Sequence, residues 1–413
     1  MVTEGGHPRE VRSRDRRLAE ALALHEQIPV FVGYFNSAQE QFWPTGGRQC
    51  DLQKLDRAGV QNFVASVGSG AYFQTGVRQF QLAGPDDWLL QRQLQGIDRV
   101  TAWIAGCPRT HLVTKADHLC ARTDEDKIGV ILHVTGNNHT TSLDVVDEFS
   151  RRGVRATHPA MAYHNRWCVG FNGMRGPVLS DFGRAVIARM NELGILLDTA
   201  HASEASAQAI VHASARPVID SHTTSLDRVP SSRGHSDKTL KMIAATGGVV
   251  GVHFADHMIT QSAWRNKYTM LRADGLPRAG FRPRLWAYNE HVLALTDDPD
   301  ERVRLRTDTS VQQEYYLDRH PPPDPLVAPV RAATLSQLAD LVDYLVGVVG
   351  IDHVGLGGDV NGIDGHQWPE GLDHLGHLPR LTAELLSRGY RWEALEKLLS
   401  SNWHRVYSAS LPA

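Results

Sequence analysis

The sequence predicts an α/β fold, a (β/α)8 TIM barrel that carries an inserted lid-like segment after its seventh strand. Three observations lead there. Eight short runs rich in β-branched residues recur along the chain, longer amphipathic stretches separate them, and histidines gather at the ends of the runs. Strands separated by helical patterns imply right-handed crossovers, and eight such units close most economically into a barrel whose chemistry sits at the C-terminal strand ends.

The elements follow in order. MVTEGGHPREVRSRDRRLAEALALHEQ reads as an N-terminal helical extension over 1–27, ahead of a single barrel domain over 28–413. Strands are expected at 28–34 (IPVFVGY), 62–67 (NFVASV), 128–134 (IGVILHV), 154–157 (VRAT), 195–199 (ILLDT), 217–221 (PVIDS), 248–254 (GVVGVHF) and 353–358 (HVGLGG). Helix-like segments lie at 51–57, 86–105, 143–152, 181–193, 203–213, 236–246, 334–348, 380–388 and 392–407. Gly153 and Gly194 close two of them, as expected where a helix ends on a left-handed residue. From 257 to 331 the rhythm breaks: Arg, Asp and Pro dominate and no strand fits the barrel period. Because it follows the seventh strand, this insertion is expected over the C-terminal mouth as a lid, with a dimer contact as the alternative use.

Composition narrows the function. The 413 residues, 42% of them hydrophobic, suffice for one large core or two ordinary ones. A net charge of −3 lacks the basic surplus of a nucleic-acid binder, which leaves small polar molecules as the expected partners. Cys50, Cys107, Cys120 and Cys168 are too scattered for a Cys-x-x-Cys motif and too few for a disulfide framework, so reduced thiols are expected. No signal-like apolar region occurs, and no apolar run approaches the roughly 18–20 residues of a membrane span. The expectation is a soluble cytoplasmic protein without a membrane partner, and a homodimer stays open.

Histidine is the informative residue, with 21 in the chain. It titrates near neutrality and is the commonest metal ligand. About one would fall by chance at eight two-residue strand ends, yet His133, His158, His201, His222 and His253 all stand at or just after such ends, and Asp359 follows the eighth strand. A lone histidine there is more often a packed residue, and convergence reverses that expectation. His201 and His222, on neighbouring strands, are candidate metal ligands through neutral imidazole. Asp220 lies two residues before His222, so strand alternation points both into the barrel and makes it a candidate to orient a histidine or to complete the site. Asp198 reads as a helix N-cap candidate, a role that Ser203 fits better. His133 and His253 are expected to face inward as supporting or substrate contacts.

LLDTAHAS, RPVIDSHTTS followed by SSRGHSD, ATHP and HVGLGGDVNG together resemble, in order and spacing, the membrane (renal) dipeptidase family of amidohydrolase-like barrels. CDLQKLDRAGV and SNWHRVYSA resemble its flanking segments, so the resemblance covers most of 28–256 and 334–407. It implies a hydrolase that cleaves dipeptides with two zinc ions and a bridging hydroxide. Carried to this chain, it makes His201 and His222 ligands of one zinc, and Asp359 a ligand of the other and a proton acceptor. His158 would polarise the scissile carbonyl, and Arg233 would hold the substrate carboxylate.

The chain departs from that family at three places. Tyr34 and Asn36 stand where the family has His-x-Asp after the first strand, Ile131 stands for the bridging glutamate of the third, and Asn361 replaces the second acid of Asp-x-Asp-Gly. One metal site then keeps only Asp359, and the other keeps two imidazoles without the carboxylate that ties the pair together, so a two-zinc site is not expected. The cofactor expectation is none, or one zinc on His201 and His222 with Asp220 or Asp359. Tyr34 and His253 join Arg233 as expected substrate contacts.

Three functions fit these residues. One is a divergent enzyme of that family, using His/Asp acid–base or mononuclear-metal chemistry on an amide- or amino-acid-like molecule, in specialised metabolism. The others are a working zinc-dependent dipeptidase and a non-catalytic small-molecule-binding protein that keeps the Arg233 clamp. Metal content separates the second from the others, and turnover separates the first from the third.

Overall fold

The eight strand runs pair edge to edge into a closed parallel ring in the computed structural model, which describes residues 8–36, 49–68, 86–120, 127–137, 140–161, 165–171, 178–264, 333–362 and 368–412. The strands are β1 (Val30–Asn36), β2 (Val60–Gly68), β3 (Thr110–Leu112), β4 (Ile128–Thr135), β5 (Val154–His158), β6 (Leu196–Asp198), β7 (Val218–Thr223), β8 (Val250–His253) and β9 (Val354–Val360). Their order is β1-β2-β4-β5-β6-β7-β8-β9, with β9 returning to β1. β3 has no counterpart among the predicted strands. It pairs with the first half of β4, through Thr110 with Ile128 and Leu112 with Val130, while β5 takes the second half of the same edge. Three residues without alternation carry no readable period, which explains why the sequence does not announce it.

Helices surround the ring: α1 (Pro8–Gln27), α2 (Leu52–Arg57), α3 (Asp86–Gly106), α4 (Leu143–Arg151), α5 (Asp181–Leu193), α6 (Glu204–Ala213), α7 (Asp237–Ala245), α8 (Asp256–Ile259), α9 (Leu335–Val349), α10 (Leu378–Ser387), α11 (Trp392–Glu396) and α12 (Asn402–Ser410). Their starts follow capping chemistry. Ser180, Ser203 and Ser236 each accept a backbone N–H three residues on, and Thr334 forms a reciprocal capping box with Gln337. Gly194 ends α5 at φ 69°, as its sequence position predicts. The helix expected over 392–407 is instead two helices joined by a π turn over 397–401. No described helix is long and apolar enough to cross a membrane. The lid expected over 257–331 lies, from residue 265 onward, outside the described residues.

The barrel interior is layered. Phe31, Val64, Ile131, Ala156, Leu196 and Ile219 form an apolar floor, and Trp403, Val406, Tyr407 and Leu411 of the C-terminal segment close it. Phe31 stacks on Tyr407 with centroids 5.4 Å apart. The Trp403 indole lies so close to β1 and β9 that a Cβ on Gly33 or Gly355 would overlap it, so both positions need glycine. A second apolar layer seats the helices on the outside of the strands, with Ile187 and Met190 of α5, Leu240 of α7 and Leu341 of α9 fully buried.

Candidate active site

Along each strand the inward residues change from apolar to polar toward the C-terminal end. Tyr34 of β1, Ser66 of β2, His133 and Thr135 of β4, His158 of β5, Asp198 of β6 and His222 of β7 are buried at this level, and His201, His253 and Asp359 stand with them at the mouth. Loops at the C-terminal ends of parallel strands share one face, which is why residues so far apart in sequence meet.

Tyr34 is the centre of the arrangement. Its ring stacks on His222 with centroids 3.9 Å apart and an interplanar angle of 11°, and meets His133 edge-on at 5.3 Å. Its hydroxyl lies 2.9 Å from both Ser66 Oγ and Thr135 Oγ1, and 3.3 Å from His158 Nε2. His158 in turn lies 4.9 Å from His201, ring to ring. His201 Nε2 faces His222 Nε2 at 3.2 Å, and Ser221 Oγ lies 2.7 Å from the other nitrogen of His222.

Two site residues sit in unusual backbone conformations. His201 has φ 68° and Asp359 has φ 59°, a left-handed region that non-glycine side chains visit at a cost and that clusters at functional sites. The strain at His201 is held by the Phe171 N–H, which donates to its carbonyl at 2.8 Å. At Asp359 the chain turns back on itself, and a Cβ on Gly362 would collide with the carboxylate. Asp359 Oδ2 lies 3.5 Å from His253 Nε2. His253 Nδ1 accepts the Ala255 N–H at 3.0 Å, so Nε2 carries the ring proton toward the acid.

Burial sets the charge states. It holds His158, His201 and His222 well below the ordinary histidine range, with Arg233 adding to the effect, so these imidazoles are neutral at pH 7. Burial pushes the Tyr34 phenol up, and it stays protonated. Burial would also raise Asp198, but the His133 hydrogen bond, neighbouring imidazoles and the Ser221 N–H outweigh it and hold the carboxyl at about 2. Asp198 Oδ2 meets His133 Nε2 at 3.2 Å, while Oδ1 accepts the N–H groups of Ala200 and Ser221. Arg233 is 9% exposed and donates through Nη2 to the His222 carbonyl at 3.0 Å, whereas its Nη1 is buried with no hydrogen-bond partner among the described residues.

The structure thus gathers Tyr34, His158, His201, His222, Arg233, His253 and Asp359. Asp220 goes elsewhere. Its Oδ2 lies 3.3 Å from the buried His235, whose other nitrogen is 3.4 Å from Glu204. Burial raises the Asp220 carboxyl to about 6 against the pull of His235, and His235 itself is raised because the two acids outweigh its burial. His201, His222 and Asp220 do not form a three-ligand cluster among the described residues. The group that does is His133, His158 and Asp198, with one ligand atom of each within 4.8 Å of the others.

Strand β4 requires a correction. Ile131 belongs to the apolar floor with Phe31 and Val64, and the β4 residue that hydrogen-bonds the Tyr34 hydroxyl is Thr135, four residues further toward the mouth. Neither supplies a carboxylate. Ser203, not Asp198, caps α6, and the acid instead accepts the Ala200 and Ser221 N–H groups while facing His133. Ser66, Thr135 and His235 carry no signal that separates them from ordinary core hydroxyls and loop histidines.

Neutral imidazoles, a buried guanidinium and a carboxylate thus gather at the C-terminal mouth of a parallel barrel, the face on which barrel enzymes carry their chemistry. The chain belongs to the membrane dipeptidase family, peptidase family M19, whose model matches residues 15–410. Among similar proteins is an uncharacterized protein in the pqqA 5' region of Klebsiella pneumoniae, 28% identical over 326 residues, covering 77% of this chain and 94% of that protein. Dipeptidase 3 of Rattus norvegicus is 24% identical over 410 residues, covering 95% of this chain and 67% of that one. The solved structure of the probable dipeptidase PvdM from Pseudomonas aeruginosa aligns with TM-score 0.75 at 21% identity, covering 96% of this chain and 99% of its own. A Rhodobacter sphaeroides metallo peptidase, solved with a phosphinate mimic of the dipeptide L-Ala-D-Ala, aligns with TM-score 0.66 at 18% identity, covering 93% and 99%.

Proposed function

We propose that this chain is a divergent dipeptidase-family enzyme that acts on an amide- or amino-acid-like small molecule bearing a carboxylate. Arg233 carries the reading. A buried guanidinium N–H without an acceptor is costly, and a carboxylate is the group that a planar cation best satisfies. The dipeptide mimic bound by the Rhodobacter relative supports the same substrate class.

With the carboxylate on Arg233, the amide carbonyl meets neutral hydrogen-bonding groups, the protonated Tyr34 and the His158 that contacts it. Asp359, steadied by His253, takes a proton from water as the water oxygen adds to the carbonyl carbon. It returns that proton to the departing amine nitrogen as the C–N bond breaks, leaving an acid and an amine.

A second reading, a working zinc-dependent dipeptidase, is favoured by one distance. Two ligands on a tetrahedral zinc stand about 3.3–3.4 Å apart, and His201 Nε2 and His222 Nε2 are 3.2 Å apart. The residues therefore fit one shared ion, although two imidazoles are one ligand short of the usual three. Zinc held there would supply a bound water acidic enough to ionise near neutral pH.

Purified protein assayed on dipeptides and N-acyl amino acids, with its metal content measured, tests both readings. Turnover without stoichiometric zinc that is lost in His222→Ala supports the first, and turnover that tracks zinc content supports the second. Binding without turnover would leave a non-catalytic small-molecule-binding protein.

A further inference from the structure

His133, His158 and Asp198 come from three successive barrel strands, β4, β5 and β6, and each is fully buried. One ligand-type atom of each lies within 4.8 Å of the others. We infer that this cluster is a divalent-cation site suited to zinc, distinct from the His201–His222 pair. It goes beyond the proposed function, whose first reading needs no metal and whose second places zinc on His201 and His222, and its test separates the two sites.

The donor set is the first argument. Two imidazoles and a carboxylate match the nitrogen and oxygen ligands of three-ligand zinc sites, and the carboxylate supplies the charge that the His201–His222 pair lacks. Spacing is the second. His133 Nε2 and Asp198 Oδ2 are 3.2 Å apart, close to the roughly 3.3–3.4 Å between two ligands on one tetrahedral ion. His158 has capacity to spare, since its Nδ1 is buried with no hydrogen-bond partner among the described residues.

The surroundings are the third argument. A metal ligand is normally oriented by a further hydrogen bond on its far side. Asp198 Oδ1 accepts the N–H groups of Ala200 and Ser221 at 3.0 and 2.9 Å, which leaves Oδ2 to face the cluster. The far nitrogen of His133 lies 3.4 Å from Thr135 Oγ1, and Tyr34 OH is 3.3 Å from His158 Nε2. Tyr34 and Thr135, which contribute no charge of their own, thus become the groups that aim the two rings.

Chelator-stripped protein titrated calorimetrically with Zn²⁺ tests the site, in wild type and in His133→Gln, Asp198→Asn and His222→Ala, with circular dichroism confirming folding. Wild type is expected to bind at least one equivalent. His133→Gln and Asp198→Asn should lose it or weaken it at least about tenfold, and His222→Ala should keep it. Wild-type stoichiometry and affinity in both cluster variants would overturn the inference, as would a wild type that binds no zinc. Loss confined to His222→Ala would overturn it too, while strengthening the zinc-dipeptidase reading. Loss in the cluster variants accompanied by unchanged turnover would keep the site and separate it from catalysis. If neither cluster variant folds, anomalous scattering at the zinc edge from zinc-soaked wild-type crystals decides. Density between His133 and Asp198 supports the site, and density only between His201 and His222 refutes it.

Discussion

Phe31 and Tyr34 lie three residues apart on one strand and belong to different worlds. Phe31 packs into the apolar floor with Val64, Ile131 and Leu196, and Tyr34 stands among Ser66, Thr135, His158 and His222 at the polar mouth. The floor is stabilised by removing apolar surface from water and by close packing. The mouth buries groups that water would otherwise solvate, and it leaves Arg233 Nη1, His158 Nδ1 and His201 Nδ1 without hydrogen bonds among the described residues. Each strand therefore spends its early residues on the fold and its last ones on chemistry, and the unsatisfied atoms of the mouth mark where a bound molecule belongs.

The contrast is sharpest in substitutions that move one property and spare the other. His201→Ala and His222→Ala are expected to lower turnover about 10²- to 10⁴-fold while the thermal midpoint changes little. Equal activity in both variants, measured per folded molecule, would place the chemistry elsewhere. Phe31→Ala should do the reverse. Removing this fully buried ring, stacked on Tyr407, should cost about 3–5 kcal/mol of stability, read by denaturant unfolding, with turnover per folded molecule preserved.

A pH titration draws the same line at the opposite end of the molecule. His25 of α1 donates from Nδ1 to the Ala58 carbonyl and accepts Thr382 Oγ1–H on Nε2, each at 2.7 Å. Burial lowers it to about 4, against the Ala58 hydrogen bond. Because the folded value lies below the unfolded 6.5, its stabilisation is full above pH 6.5 and is lost as the pH falls through about 4. The loss is about 3 kcal/mol. His25→Gln should flatten this limb of the stability profile without shifting the pH dependence of turnover, and an unchanged limb would contradict the assignment. The smallest effect is expected at Arg233. Arg233→Ala should raise KM for a carboxylate-bearing substrate about 10- to 100-fold, with kcat reduced far less. A kcat loss at constant KM would move Arg233 from anchoring to catalysis.

The sequence announces the floor and the mouth unequally. β-Branched runs mark all eight barrel strands because burial on both faces demands such residues, whereas β3 is too short to show a period. Histidines at strand ends mark His158, His201 and His222 because several fall at such ends together, where one alone would read as a packed residue. Partner choice is not visible in the same way. Asp220 and His222 alternate onto one strand face, yet the acid pairs with His235, which reaches it from the following loop. Ile131 and Thr135 are both inward on β4, and only the closed barrel fixes which of them stands level with Tyr34.

The central claim is that the mouth holds a carboxylate-bearing amide through Arg233 and acts on it through Tyr34, His158 and Asp359, with His222 stacked against Tyr34. Incubating the enzyme with a panel of dipeptides and N-acyl amino acids, with products followed by mass spectrometry, tests it most directly. At least one carboxylate-bearing member is expected to be cleaved, its carboxamide analogue much less, and neither by His222→Ala. Equal cleavage of acid and carboxamide, or cleavage that survives His222→Ala, would contradict the account.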